Sequence, residues 1–437
     1  MMTGKIKLKS KIIRFLVSVM LLAEVLSFGP NVWADETSEV YFEEPEVAMT
    51  PATTKKLKLI GAKSKVKWSS SNKKVADVNS SGKVTAKAKG TARITAVHNQ
   101  VEYYCDVAVS YGIYTTSDKM CYEDIKGNFG MTGRWFKKKI GGGKYYFTNA
   151  DGSAVYFKVT GSKFVNVNFA SNTSKGTPYF AYSVDGKSMK RSLISKKKIS
   201  VGNTKTHYVR LVIDATSEYE NRWGKEAGVA IKKIQPVSKN GVVTAVKPKN
   251  DVIAFYGDSI SKGVRTLNWG TPSGTSATHS YAWYCAKELN MTPYISGFGA
   301  SGIVQKGTAD RCYNVIKKFS ASRKADDFDA DFIVLEHGTN DVFTYGNIYV
   351  NEYKKVLELL HKKHPKAKIL AMIPLNQIHA DEIRSAVSSY KKWCTVVETS
   401  SLQLSYTDGI HPSAAGAKKM GKYLAKKVAA KRKSSSK

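Results

Sequence analysis

Several things are scarce in this chain, and each shortage excludes a class of protein. Cysteine is the first: five residues in 437, at 105, 121, 285, 312 and 394. The number is odd and no two form a Cys-x-x-Cys pair, so a metal cluster is not expected, and the length rules out a disulfide-dense scaffold. Cys105 and Cys121 could bridge, but nothing in the sequence compels it. Long apolar runs are missing beyond the first residues, since nothing after position 26 approaches the about 20 apolar residues of a membrane span. Acidic residues are few, 35 Asp+Glu against 69 Lys+Arg, for a net charge of +34. There is no internal repeat, no lipid-acceptor cysteine near the N-terminus and no LPxTG-like sorting signal near the C-terminus.

What is present begins with a leader. Lys5, Lys7, Lys9, Lys11 and Arg14 precede and overlap an apolar core at 12–26, and Val32-Trp33-Ala34 offers a small-residue cleavage site before Asp35. Residues 1–34 therefore read as a secretion signal, and the mature chain as extracellular with no integral membrane segment. In that setting a strongly basic chain favours anionic surroundings. The lysines are spread through every segment and no nucleic-acid motif accompanies them, so nucleic acid is not the expected partner. Anionic wall polymers or acidic polysaccharides fit better, with a lysine-rich solvated surface as the plain alternative.

After an acidic lead at 35–47, short alternating strands broken by turn residues fill 48–111: 56–60, 66–69, 75–78, 84–86, 92–97 and 103–109. Val66-Lys67-Trp68-Ser69-Ser70-Ser71-Asn72, Val75-Ala76-Asp77-Val78, Gly82-Lys83-Val84-Thr85-Ala86 and Gly90-Thr91-Ala92-Arg93-Ile94 resemble a bacterial immunoglobulin-like group 2 domain. The resemblance implies a spacer or wall-proximal sandwich, with Trp68 a core residue. Residues 112–247 are also strand-rich, alternating at 144–148, 154–160, 164–169, 179–184 and 206–213, as two stacked antiparallel sheets would. Arg134-Trp135, Val184-Asp185-Gly186 and His207-Tyr208-Val209-Arg210-Leu211 are similar to the jelly-roll preceding the hydrolase domain in family two carbohydrate esterases. Trp135 and Trp223 are expected to be core or surface aromatics rather than sugar stackers.

From 248 to 430 the texture changes to strand–helix alternation: strands near 252–256, 294–296, 332–335, 369–373 and 395–397, with helices near 281–289, 309–319, 349–362, 380–392 and 414–430. This pattern predicts a three-layer α/β domain with a parallel sheet of about five strands. A basic, serine-rich tail, 431–437, is expected to be disordered.

The chemistry concentrates in this last domain. The apolar run Val252-Ile253-Ala254-Phe255-Tyr256 ends at Gly257-Asp258-Ser259, putting Ser259 just past the carboxyl end of a buried strand, where open α/β sheets carry their sites. Gly338-Thr339-Asn340-Asp341 follows a second buried strand, and Asp408-Gly409-Ile410-His411-Pro412 lies near the C-terminus. In this order and spacing the blocks resemble those of the SGNH/GDSL hydrolase superfamily, and with the upstream domain they are similar to acetylxylan-type family two carbohydrate esterases. The resemblance implies a triad of Ser259 as nucleophile, His411 as base and Asp408 as its orienting acid. It implies an oxyanion hole from the Ser259 N–H, the Gly299 N–H and the Asn340 side chain, with Gly302 an alternative to Gly299. No cofactor and no metal is implied.

Two decoys accompany these blocks. Residues 297–302 spell Gly-x-Gly-x-x-Gly, but they follow the second strand of the domain and no strand-borne acid lies about 20 residues on, so dinucleotide binding is not expected. His361 and His364 are spaced as helix-borne metal ligands can be, yet their lysine and proline neighbours suggest an exposed helix end. His337 is read as a satisfied core histidine. The loop after Ser259, residues 262–276, is polar and glycine-rich with one large aromatic, Trp269, which suits a wet groove where a sugar ring stacks on an indole. The expected function is a secreted esterase removing acetyl groups from a plant or cell-wall polysaccharide. A lipase or thioesterase, or a non-catalytic wall- or carbohydrate-binding protein, are the alternatives.

Overall fold

The computed structural model describes residues 40–44, 46–49, 51–109 and 121–434. The expected secretion signal, the start of the acidic lead and the last residues of the basic tail lie outside them.

In the N-terminal domain, Glu46–Met49, Val101–Val109, Gly90–His98 and Lys67–Ser70 form one sheet, and Thr54–Lys56, Lys83–Ala86 and Ala76–Val78 a second. The period of two explains the pairing, since Ala92, Ile94 and Ala96 point inward between exposed Thr91 and Arg93. Trp68 packs against this core, its ring 5.8 Å from Phe42 and edge-on to it. A Cβ on Gly82, at φ +76°, would sit 2.6 Å from the Trp68 ring, so that turn requires glycine twice over. The domain also begins earlier than the sequence reading placed it. Tyr41–Phe42 pairs with Leu59–Ile60, and Glu46–Met49 lies parallel to the strand ending at Val109, so part of the acidic lead is sheet. Four glutamates among residues 37–46 hid those apolar positions.

The middle domain is two antiparallel sheets. One carries Tyr122–Asp124, Val242–Pro248, Ala154–Thr160, His207–Ala215, Tyr179–Val184 and Lys190–Leu193, with Gly130–Thr132 beside it. The other carries Phe136–Ile140, Gly143–Thr148, Val229–Pro236, Phe164–Ser171 and Lys198–Ser200. Trp135, Val155, Phe157, Val167, Phe180 and Leu211 fill the space between them. Sequence reading missed Val229–Pro236, where Lys232-Lys233 interrupts the alternation, and the register shift opposite it at Asn168/Phe169 is the cause.

The C-terminal domain has five parallel strands: β1 Val252–Gly257, β2 Thr292–Gly297, β3 Phe332–Glu336, β4 Lys368–Met372 and β5 Cys394–Val397, in spatial order β2-β1-β3-β4-β5. Its helices are α1 Ser259–Lys262, α2 Tyr281–Glu288, α3 Cys312–Lys317, α4 Gly346–Lys363, α5 Ala380–Ser388 and α6 Ala414–Ser434. Ile253, Phe255, Val334 and Met372 face α2 and α6, while Ala254, Tyr256, Ile333 and Leu335 face α3, α4 and α5. The closing helix runs to Ser434, beyond the expected start of the tail at 431. Alanine and lysine are good helix formers, and basic residues suit a helix C-terminus.

The middle and C-terminal domains share a core, because Ala154, Tyr156, Val212 and Val246 join the cluster around Ile253 and Phe255. Arg134 locks this junction. Fully buried, it donates to Ser296 Oγ at 3.2 Å, the Val315 carbonyl at 3.0 Å and the Lys318 carbonyl at 2.7 Å, and it lies over the Phe319 ring. Lys89 ties the N-terminal domain to Asp251 and Asp331. Replacing Arg134 by Met takes this donor from the buried Val315 carbonyl and the part-buried Lys318 carbonyl, and Arg134→Met is expected to lose about 2–4 kcal/mol in denaturant unfolding.

Candidate active site

β1 and β3 are neighbours at the point where the strand order reverses, and both open at their carboxyl ends onto one crevice. Gly257 ends β1 because a Cβ there would fall 2.0 Å from Ser261 Oγ and 2.8 Å from the Glu336 carbonyl. Asp258 caps the short helix α1 by accepting from the Ile260 N–H at 2.8 Å. Ser259 follows as its first residue, and the chain leaves the helix through Gly263 at φ 82°.

Here the structure brings together residues 152 positions apart. Ser259 Oγ lies 2.8 Å from His411 Nε2, and His411 Nδ1 lies 2.7 Å from Asp408 Oδ2. Asp408 Oδ1 accepts from the His411 N–H at 2.7 Å and the Ile410 N–H at 3.1 Å, bonds of a tight turn that holds carboxylate and ring in register. Partial burial opposes the Asp408 charge, but the His411 backbone and side-chain bonds, the Arg265 guanidinium and the Ile410 N–H outweigh it and hold the carboxyl well below its usual range. An ionised Asp408 only accepts, so Nδ1 carries the imidazole proton and Nε2 is left to accept from the Ser259 hydroxyl. That arrangement can draw a proton from Oγ.

The residues expected to bind an oxyanion are placed as follows. Among the described residues the Gly299 N–H has no partner, whereas the Gly302 N–H donates to the Gln305 carbonyl at 2.9 Å. This favours Gly299 over Gly302. Gly302 is glycine for another reason, since a Cβ would lie 2.3 Å from an Asp341 oxygen. Asn340 donates to the Ser301 carbonyl at 3.0 Å and to Asp258 Oδ2 at 3.3 Å. Both of these bonds come from the Nδ2 amide, the group expected to face an oxyanion. Burial is the main reason that the Asp258 carboxyl is pushed up to about 7, with the Asp341 charge adding to it.

Some supporting residues were not found by reading the sequence. Asp341 accepts from the N–H groups of Ile303, Val304 and Gln305 at 2.8–2.9 Å and so holds the loop that begins at Phe298. It was visible only as the fourth letter of Gly-Thr-Asn-Asp. Glu336, wholly buried behind α1, accepts from Ser261 Oγ at 3.0 Å, and burial pushes its carboxyl well up. Arg265 donates to Asp408 Oδ2 at 2.8 Å and to Glu218 of the middle domain at 2.9 Å. No spacing signal links these three.

The expected sugar stacker, Trp269, is 64% exposed, with the Arg265 guanidinium 5.3 Å from its ring centre. The surroundings are more apolar than the loop 262–276 suggested. Phe343, three residues past Asn340, is 93% exposed, and Ile410, beside His411, is exposed as well. The decoys resolve structurally. No helix opens at Gly302, and the next begins at Cys312. His361 stacks on Trp393 at 4.2 Å and His364 is buried against Phe328, so the exposed helix end expected there is a packed one. His337 is buried and its ring is pushed down to about 4, mainly by burial, but its Nδ1 has no hydrogen-bond partner, so it is not fully satisfied. Among the described residues no cluster of His, Cys, Asp and Glu could hold a metal ion, and no helix is long and apolar enough to cross a membrane.

Residues 255–419 match the model of the GDSL-like lipase/acylhydrolase family, and residues 40–105 match that of the bacterial Ig-like domain, group 2. Comparison with curated proteins gave no match. Among solved structures, a family two carbohydrate esterase from Clostridium thermocellum in complex with cellohexaose is similar, at TM-score 0.57 and 19% identity over 69% of this chain and 98% of that one. An acetyl xylan esterase from the rumen bacterium Butyrivibrio proteoclasticus matches at TM-score 0.55 and 18% identity, over 71% and 99% of the two chains. A salicylyl-acyltransferase from a tetracycline biosynthetic pathway matches at TM-score 0.52 and 12% identity, over 71% and 97%. The shared fold thus spans both the middle and C-terminal domains.

The geometry predicts a graded response to substitution. Ser259→Ala should abolish hydrolysis of an aryl acetate with an unchanged circular dichroism spectrum. His411→Ala should come close to that, and Asp408→Asn should cost less, because Asp408 acts only through the imidazole. Asn340→Ala should lose about 2.7–4 kcal/mol of transition-state stabilisation in kcat. Equal and total loss at all of these positions would contradict the gradation.

Proposed function

We propose that this chain is a secreted serine esterase that removes acetyl groups from a polysaccharide through an acyl-enzyme. The observation carrying the proposal is the continuous Oγ–imidazole–carboxylate chain, at 2.8 and 2.7 Å. Ser259 Oγ attacks the ester carbonyl while His411 Nε2 takes its proton, and the same proton is then delivered to the departing sugar oxygen. The N–H groups of Ser259 and Gly299, with the Asn340 amide, receive the negative charge on the former carbonyl oxygen. Water, activated by His411, releases acetate and restores Ser259. No cofactor enters these steps.

The carbohydrate reading is supported by the leader sequence, the two upstream β-domains and the likeness in fold to esterases described with cellohexaose and as acetyl xylan esterases. Trp269 is the candidate platform for a sugar ring. The excess of lysine suits a substrate embedded in anionic polymers of a plant or bacterial wall. One observation favours a second reading, a lipase-type hydrolase of longer acyl chains: the exposed Leu267, Phe343 and Ile410 on the loops carrying Ser259, Asn340 and His411.

A panel of aryl esters from acetyl to octanoyl separates the two. The proposal predicts that kcat/KM falls steeply beyond propionyl and that acetate is released from an acetylated wall polysaccharide. A maximum at octanoyl, or no acetate from any such polymer, would transfer the assignment to the lipase reading.

A further inference from the structure

Asp408 is not held by its own loop alone. Arg265 reaches it from the segment that follows the nucleophile helix, donating from Nη1 to Oδ2, the oxygen that also receives the His411 Nδ1 proton. The other arm of the guanidinium, Nη2, donates to Glu218 Oε1 at 2.9 Å and to Tyr219 Oη at 3.2 Å. Both partners belong to the middle domain, in the loop between the strands His207–Ala215 and Val229–Pro236.

That loop is fixed against the site. Lys262, the last residue of α1, is buried and donates to the carbonyls of Thr216 and Ser217 at 3.0 and 3.3 Å, and the Glu218 N–H donates to Thr271 Oγ1 at 3.0 Å. Arg265 itself sits at φ 54°, a left-handed conformation that costs a non-glycine residue on the order of 1 kcal/mol. Next to it, the Thr266 carbonyl accepts from the Ala414 N–H at 2.7 Å, joining this segment to the loop that carries His411. The backbone is therefore held in an unfavourable state that places one guanidinium between two carboxylates of different domains.

We infer that Arg265 is a positioning residue for the hydrolytic reaction, and that the middle domain completes the triad through the relay Glu218–Arg265–Asp408. The Asp408 oxygen facing His411 has two donors to satisfy it. Arg265 fixes where that oxygen points, and Glu218 fixes Arg265. With both arms occupied by carboxylates, the guanidinium is committed to the protein rather than to substrate. The β-domain thus acts on turnover.

This rests on the esterase reading, so the test carries one readout that needs no substrate. In the full chain, Arg265→Ala is expected to lower kcat for an aryl acetate about tenfold or more while KM stays within about threefold, and millimolar guanidinium should restore part of the loss. Glu218→Gln should give a smaller loss in the same direction. In an Asp408→Asn background, Arg265→Ala should change kcat by less than about twofold, because its effect passes through the carboxylate. Losses that multiply in the double variant, or a loss expressed in KM, would overturn the relay. Independently of substrate, the low-field proton resonance of His411 Nδ1 should shift in folded Arg265→Ala and vanish in Asp408→Asn. An unchanged resonance in Arg265→Ala would overturn the inference, and a shifted one in a chain without esterase activity would leave the relay standing while the functional reading fell.

Discussion

One strand must be covered on both faces, and the arrangement of two domains follows from that. Val252–Gly257 is nearly all buried, with Ile253 and Phe255 pointing one way and Ala254 and Tyr256 the other. Helices of its own domain cover the second face. On the first, residues of the middle domain take part, so the β-sandwich is packed into the same core rather than tethered beside it. A strand so enclosed delivers Gly257-Asp258-Ser259 to one place with little freedom. The loops bearing Asn340 and His411 then meet Ser259 from the neighbouring β3 and from the approach to α6.

Charge is used in two opposed ways. The chain has 35 acidic residues, and eight of those described are buried: Asp151, Asp214, Glu220, Glu226, Asp251, Asp258, Glu336 and Asp341. Several lie where the middle and C-terminal domains meet. Asp214 binds Arg191 and accepts from Ser276 and Thr278, and Asp151 lies 3.4 Å from the Lys262 ammonium. Buried pairs of this kind are poor sources of net stability, because desolvation consumes most of the attraction, but they are demanding about geometry. More acids than lysines and arginines are buried among the described residues, so the solvated surface is left more basic than the composition alone implies.

Much of this was legible in the sequence, and the reason differs by feature. The parallel sheet could be read because strands buried on both faces are written as apolar runs, and Ser259, Asn340 and His411 because each follows such a run or lies in a short, recognisable block. Trp68 could be placed in the Ig-like core from its motif. Residues whose role depends on a partner in another domain could not be read. Arg265 looked like one polar residue in a polar loop, and Glu218 like one more acid in a β-rich segment. Arg134 stood beside Trp135 with nothing to say that it crosses into the next domain. The strand at 229–236 was hidden by a bulge that puts two lysines in succession, and His364 by lysine and proline neighbours that mask a ring packed on Phe328.

The central claim is that Ser259 carries the acyl group during turnover. Acid quenching of the full chain within the first turnovers of an aryl acetate, followed by peptide mass mapping, tests it directly. The account predicts one acetyl group on the peptide containing Ser259, lost on further incubation without substrate, and persisting in a His411→Ala chain that has been acylated with a reactive ester. Turnover with no acetyl on that peptide, or an acetyl group on a different residue that forms and decays at the catalytic rate, would contradict it.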